Sequence, residues 1–288
     1  MKSESSGLNS RSSRARATPR ARRALRLRGV DPSRVTGSGP NHRIVEADVL
    51  RAESSPGKSV ADGEIRRSLS ATRRTIARRL VQSKQTIPHF YLRQAIDAGP
   101  LAGFYAKCKA QFPCSLNDII VQAAALAVGE FPAFRSRIEG DDLIEMPHAH
   151  IGLAVGLEEG LVVPAILHAD RLGLRQLAVE TRRAAESARV RNIENAGRAV
   201  FTVTNLGMFG IDEFSAIINP PEAAILAVGA LREQAVVRDG ALRLGRAMTL
   251  TLSCDHRIID GLCAARFVGR LKQILESPEQ YLGEKKNL

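Results

Sequence analysis

The sequence predicts an α/β (α+β) two-layer sandwich with a mixed sheet, preceded by a small all-α unit. Three observations lead there. Short apolar runs at residues 199–204, 224–230 and 248–253 read as strands. Helical patterns lie among them without the regular strand–helix alternation of a doubly wound parallel sheet, so the sheet is expected to be mixed. A Pro- and Gly-bounded helical pattern near the N-terminus is cut off from the rest by a polar stretch. At 288 residues the chain has room for one large domain and one small one.

Residues 1–16 are Ser, Arg and Gly without a period and read as a disordered basic arm. Thr18 is an N-cap followed by Pro19 at the first helical position, and helix formers run to Arg28 before Gly29 stops them. Asp31, Pro32 and Ser33 start a second short turn; a Gly-rich loop over 37–42 leads to a last helix over 44–50. This unit, residues 17–51, has little core of its own. Residues 52–64 form a polar linker marked by Pro56 and Gly57.

From residue 65 to 288 the composition is globular. A helix is expected over 70–83 with Ile76, Ala77 and Leu80 on one face and Arg residues opposite. Residues 117–128 read as a buried helix. The two apolar runs of 151–166, broken at Glu158, Glu159 and Gly160, read as a hairpin, and 172–190 as an amphipathic helix. A helix over 262–275 closes the chain.

The formal net charge is +12, and residues 1–34 carry ten Lys or Arg against Glu4 and Asp31. Such a segment invites an acidic partner, protein or nucleic acid. No aromatic residue is interleaved with it, which argues against base stacking. Cys108, Cys114, Cys254 and Cys263 show no CxxC spacing and read as buried thiols, with no metal site. No stretch approaches the roughly 20 apolar residues of a membrane span. The start has no apolar segment of a secretory signal; its Arg and Ser content is also that of an organellar transit peptide.

His256 stands just past an apolar strand, with Asp255, Arg257 and Asp260 within five positions. Packing explains such a histidine poorly. Imidazole can take a proton from a thiol at neutral pH, provided neighbours hold the ring, a task for Asp255 or Asp260. By itself the His-x-x-x-Asp pattern fits a solvated turn as well. Thr204 ends another strand ahead of the turn Gly207–Gly210, where a hydroxyl can donate to a developing oxyanion.

Five ordered segments carry a resemblance: "RRTIARRLVQSKQTIPHFYL" (73–92), "SLNDIIVQAAALAV" (115–128), "IGLAVGLEEGLVVPAI" (151–166), "FTVTNLGMFGIDEFSAIINPPEAAILAVG" (201–229) and "LSCDHRIIDG" (252–261). Residues 65–288 resemble the catalytic domain of the dihydrolipoamide acyltransferases of 2-oxoacid dehydrogenase complexes. The stretch "TPRARRALRLRGVDPSRVTGSGPNHRIVEADV" (18–49) makes residues 17–51 similar to their peripheral subunit-binding domain, with His42 where the family usually has Gly.

The resemblance implies a chloramphenicol acetyltransferase-like fold. It implies that His256 deprotonates coenzyme A, a substrate, for attack on an acyl-dihydrolipoyl thioester, and that Thr204, usually Ser in the family, binds the oxyanion. Asp260 matches the second motif carboxylate, with Arg73 as its expected salt-bridge partner orienting the loop. His89 is read as a packing residue, and no role attaches to His148, His150 or His168. A homotrimer assembling into a larger cage is implied, with His256 and Thr204 of each active site on different chains.

Arg22, Arg23, Arg26 and Arg43 are expected to dock dihydrolipoamide dehydrogenase or the 2-oxoacid decarboxylase, which favours a protein partner over nucleic acid. No lipoyl-lysine is recognised, so a lipoyl domain in trans is expected to supply the acyl group, most closely acetyl of a pyruvate-type complex. A scaffold subunit that recruits the dehydrogenase, or a coenzyme A-dependent transferase for another acceptor, are the alternatives. The expected location is the bacterial cytoplasm, or a mitochondrial or plastid matrix.

Overall fold

The computed structural model describes residues 16–54, 67–157, 160–190, 192–238 and 240–283. The basic arm over 1–15, most of the 52–64 linker, and Glu158 and Glu159 at the hairpin tip lie outside the described residues. The chain divides into two compact units, Met1–Arg74 and Thr75–Leu288.

In the first unit, helix α1 (Pro19–Arg28) is capped by Thr18, whose hydroxyl accepts from the Ala21 N–H, and ends at Gly29 in the left-handed conformation. A 3-10 turn, Pro32–Arg34, follows with Asp31 as its cap. The last helix, α2 (Glu46–Ser54), starts two residues later than expected and runs beyond residue 50. Ile44 is diverted from it because its backbone bridges to Ala17.

Ala21, Ala24, Leu25, Val35, Ile44 and Val49 make the small core. So little apolar surface stabilises weakly, and a buried carboxylate supplements it. Asp48 accepts the Ser38 N–H at 2.9 Å, the Ser38 hydroxyl at 2.6 Å and the Val45 N–H at 3.0 Å. These bonds, the Ser38 hydroxyl first, pull its pKa down to about 2.

Helix α3 (Ala71–Thr86) spans the unit boundary. The second unit continues through β1 (His89–Asp97), α4 (Gly99–Gln111), α5 (Leu116–Glu130), β2 (Ser136–Glu139), β3 (Asp142–Glu145), β4 (Ile151–Leu153), β5 (Val155–Leu157), β6 (Gly160–Val162) and β7 (Ala165–Ile166). Then come α6 (Leu174–Arg189), β8 (Phe201–Asn205), β9 (Ala224–Val228), β10 (Arg232–Arg238), β11 (Ala241–Asp255), α7 (Gly261–Glu276) and α8 (Pro278–Leu282).

The main sheet runs β1-β11-β9-β8-β4-β7, with β10 also paired to β11. β8 is parallel to β4 and β9, while the other pairs are antiparallel, so the sheet is mixed as expected. The 151–166 segment does fold back on itself: β5 pairs with β6 and β4 with β7.

Strand alternation separates the faces. Phe201, Val203, Leu226, Leu250, Leu252 and Cys254 enter the main core with α5 and α7. There Phe134 and Phe267 stack at 3.8 Å, with Phe201 and Phe131 around them. Each such ring stabilises by about 1.5–3 kcal/mol on burial. The opposite face carries Thr202, Thr204, Thr251 and Ser253. Burial pushes the Cys254 thiol up to about 12, consistent with an inert core residue, whereas Cys263 is only half-buried.

Strand β11 begins at Ala241, seven residues before the expected start. Its first half forms a hairpin with β10 that leaves Val237, Leu242 and Leu244 exposed on one face. Among the described residues, no single helix is long and apolar enough to cross a membrane.

Candidate active site

The His256 turn follows directly from the end of β11. The Asp255 N–H donates to Ala223 O, which keeps the strand paired to its last residue, and the His256 N–H donates to Pro88 O at 3.0 Å. The Ile258 and Ile259 N–H groups both return to Asp255 O, closing the turn. Asp255 is 2% exposed and accepts from Arg257 three times over: the backbone N–H at 3.0 Å, Nε at 2.9 Å and Nη2 at 2.6 Å. A charge buried this deeply is tolerated because it is paired and hydrogen-bonded.

Asp255 is thus committed to Arg257, and the other candidate carboxylate to a helix end. Asp260 caps α7, accepting the Cys263 N–H at 2.7 Å. The expectation that Asp255 or Asp260 grips the ring gives way to a different support. Phe90, from β1, sets its ring against the imidazole in a T-shaped contact with centroids 4.9 Å apart. The imidazole is otherwise exposed to solvent, as a base that meets its substrate must be.

Thr204 lies in the opposite setting. It is buried near the end of β8 and shares the polar face of the sheet with Thr202. The turn after it is tightly fixed. Asn205 accepts the Gly207 N–H at 2.8 Å and donates to Asn117 Oδ1. Any side chain at Gly207 would come within 2.5 Å of Gly229 O, so the backbones touch there.

Within one chain these two residues do not meet. Thr204 is level with Ala227, and Ala227 with Thr251, five residues short of His256 on β11. That spacing puts them about 16 Å apart along the strands and about 10 Å across them. Within one chain the two residues therefore lie at opposite ends of the sheet.

The remaining sequence candidates fall elsewhere. Arg73 belongs to the first unit, where its N–H donates to the Ser70 hydroxyl. Arg22, Arg23, Arg26 and Arg43 are all exposed in that unit. His89 spends both ring nitrogens on backbone, Nδ1 on Ile87 O and Nε2 on the Ile218 N–H, which agrees with a packing role.

Sequence reasoning missed a cluster. His148 and His150 each meet the His168 ring edge-on, with centroids 4.7 and 4.8 Å apart, and the His168 backbone N–H donates to His150 Nδ1. It also missed Glu222, a buried carboxyl two residues before β9. Both groupings arise from long-range strand pairing, for which the local pattern holds no signal.

Residues 61–283 match the family model described as 2-oxoacid dehydrogenases acyltransferase (catalytic domain), and residues 15–50 match the e3 binding domain. The dihydrolipoyllysine-residue acetyltransferase component of the pyruvate dehydrogenase complex of Zymomonas mobilis is 36% identical over 92% of this chain. This chain spans 66% of that relative's length.

The crystal structure of Azotobacter vinelandii dihydrolipoamide acetyltransferase aligns with a TM-score of 0.72 and 32% identity, covering 78% of this chain and 97% of that one. That work concerned the role of a serine, a histidine and an asparagine in its catalytic mechanism. The structure of the cubic core of the pyruvate dehydrogenase multienzyme complex matches equally well, with a TM-score of 0.72, 32% identity and the same coverage.

Proposed function

The chain belongs to the 2-oxoacid dehydrogenase acyltransferase family, and we propose that it moves an acetyl group between a dihydrolipoyl thiol and coenzyme A in a pyruvate-type complex. The observation that carries this reading is one of spacing. The serine, histidine and asparagine investigated in the Azotobacter enzyme are 52 and 4 positions apart, the same separations as Thr204, His256 and Asp260 here.

In the proposed reaction, His256 removes the proton of the coenzyme A thiol. The thiolate attacks the carbonyl carbon of the acyl-dihydrolipoyl thioester, and the charge passes to the carbonyl oxygen. The Thr204 hydroxyl of another copy donates to that oxyanion. Collapse breaks the bond to the dihydrolipoyl sulfur, which takes back the proton from the imidazolium. Asp255 and Asp260 act one step removed, through the backbone of the turn, and Arg73 keeps a loop-orienting role.

Two half-sites at opposite ends of one sheet support a cyclic assembly, which we take to be a trimer building toward a cage like the cubic core. The exposed apolar face of the β10–β11 hairpin supports this, because isolated strands seldom leave such residues in water. Residues 17–51 serve as a docking unit for dihydrolipoamide dehydrogenase or the decarboxylase through Arg22, Arg23, Arg26 and Arg43, and 52–64 as its tether. Residues 65–288 are the catalytic domain. The lipoyl group is taken to come from a lipoyl domain in trans. The setting is the cytoplasm.

Acetyl transfer from acetyl-coenzyme A to free dihydrolipoamide by the assembled protein is the test, with His256→Ala alongside. Activity that disappears in the variant supports the reading. An assembled wild-type protein without activity sinks it in favour of a scaffold or another acceptor.

A further inference from the structure

Residues 148–150 hold a corner of the second unit, between the turn that follows β7 and the entry to β8. The Ala169 N–H donates to Ala149 O at 2.8 Å, the Ala149 N–H to Asp170 Oδ1 at 3.0 Å, and the Val200 N–H to His150 O at 2.9 Å. One further bond uses a side chain: the His168 backbone N–H donates to His150 Nδ1 at 3.0 Å. It reaches a residue in the left-handed conformation (φ 52°, ψ 37°), which any residue other than glycine adopts at a cost. The His168 ring lies edge-on to those of both His148 and His150.

His150 is 4% exposed. With Nδ1 accepting, its neutral ring carries the proton on Nε2, and a second proton has no place but Nδ1. There it would confront the His168 N–H donor to donor, so the charged ring and the bond exclude each other. Little around the ring would compensate the charge. His148 stands 3.6 Å from the Asp170 carboxylate. His150 also lines a cavity with Arg135, Arg137, Glu139, Arg198 and Glu222. Arg135 is paired with Glu145 and Arg137 with Glu139, while Glu222 is engaged by Asn219 and Thr202. Burial, then the charges of His168, Arg198 and His148, push the His150 pKa below its ordinary value, against a smaller upward pull from Asp170.

We propose that this corner is an acid-operated latch: a proton taken up at His150 Nδ1 expels the His168 N–H, releases the 168–171 turn and loosens the entry to β8 ahead of Thr204. The closed corner disfavours the charged ring, while the open corner returns it to an ordinary imidazole titrating at about 6.5. The latch is therefore shut above neutrality, and its stability is lost progressively as pH falls through about 6.5. It operates whether or not the chain is a transferase, because it needs neither His256 nor a substrate.

Native-state hydrogen exchange of the assembled full-length chain tests this, read by mass spectrometry at pH 5.5 and 7.5 and corrected for the intrinsic exchange rate at each pH. The opening equilibrium of the 166–173 segment should rise by about three- to tenfold from pH 7.5 to 5.5, the upper value being that of a group that titrates at about 6.5 in the open state alone. The 199–204 segment should rise with it, while α7 should not. His150→Asn places Oδ1 where Nδ1 stands and accepts the same N–H without titrating, so its opening should be alike at both pH values. His168→Asn leaves the backbone donor in place and suits the left-handed conformation, so the rise should persist. The proposal is overturned by equal opening of the parent at both pH values, by a rise shared equally by α7, by one that survives His150→Asn, or by one that is lost in His168→Asn.

Discussion

His256 and Thr204 are two halves of one proposed reaction, yet the fold builds them in contrasting ways. His256 projects from an exposed turn, held by a borrowed carbonyl at Pro88, a buried Asp255–Arg257 pair and the edge of Phe90. Thr204 is locked into a sheet, its exit fixed by Asn205 and by glycines in contact. The difference follows from their tasks. A base must reach a thiol and exchange its proton, so it is exposed and braced from outside. An oxyanion donor must wait where charge will develop, so the sheet itself sets its position.

The largest expected effect removes the base: His256→Ala should lower kcat by about 10²–10⁴-fold with little change in assembly. Thr204→Val keeps the shape but not the hydroxyl, and kcat should fall by about 10²–10³-fold. Thr204→Ser should stay within a few-fold of the parent; a large loss there would mean that the methyl group matters more than the hydroxyl.

Mixing the first two variants tests the separation of the halves. If each site takes His256 from one chain and Thr204 from the next, random co-assembly of the two inactive proteins restores about one quarter of the sites. No recovery from verified mixed assemblies would mean that both residues act within a chain, against their spacing on the sheet.

Asp255→Asn should have a smaller effect than loss of His256 or of the Thr204 hydroxyl. Arg257 is 43% exposed and can turn to solvent on loss of its partner, so stability should drop by only about 1–3 kcal/mol. The loosened turn should lower kcat about tenfold at unchanged KM, an order-of-magnitude expectation for a misaligned catalytic group. A change in KM alone would assign Asp255 to substrate binding instead.

Much of this was legible beforehand, for identifiable reasons. Thr18, Pro19 and Gly29 bracket α1 because caps and stops are local chemistry. His256 drew notice because three charged residues crowd the end of an apolar strand. Strand β1 went unread because residues 89–97 mix Arg93, Gln94 and Asp97 into a half-covered edge, which blunts the alternation. Helix α4 was hidden by Gly99, Pro100 and Gly103, which read as breakers, although Pro100 sits in the first turn where helices accept it. The cavity at Glu222 draws on β2, β4, β8 and β9, whose residues are remote in sequence, and no window along the chain contains it.

The convergence of three donors on Asp48 bears on how such a chain can change over generations. With so small an apolar core, the N-terminal unit leans on that carboxylate, while His256 and Thr204 lie in a separate compact unit with a core of its own. A single nucleotide change at the Asp48 codon could thus weaken the proposed docking unit while leaving the proposed active site intact. Under the proposed function, a lineage can relax selection on docking without first dismantling the transferase unit.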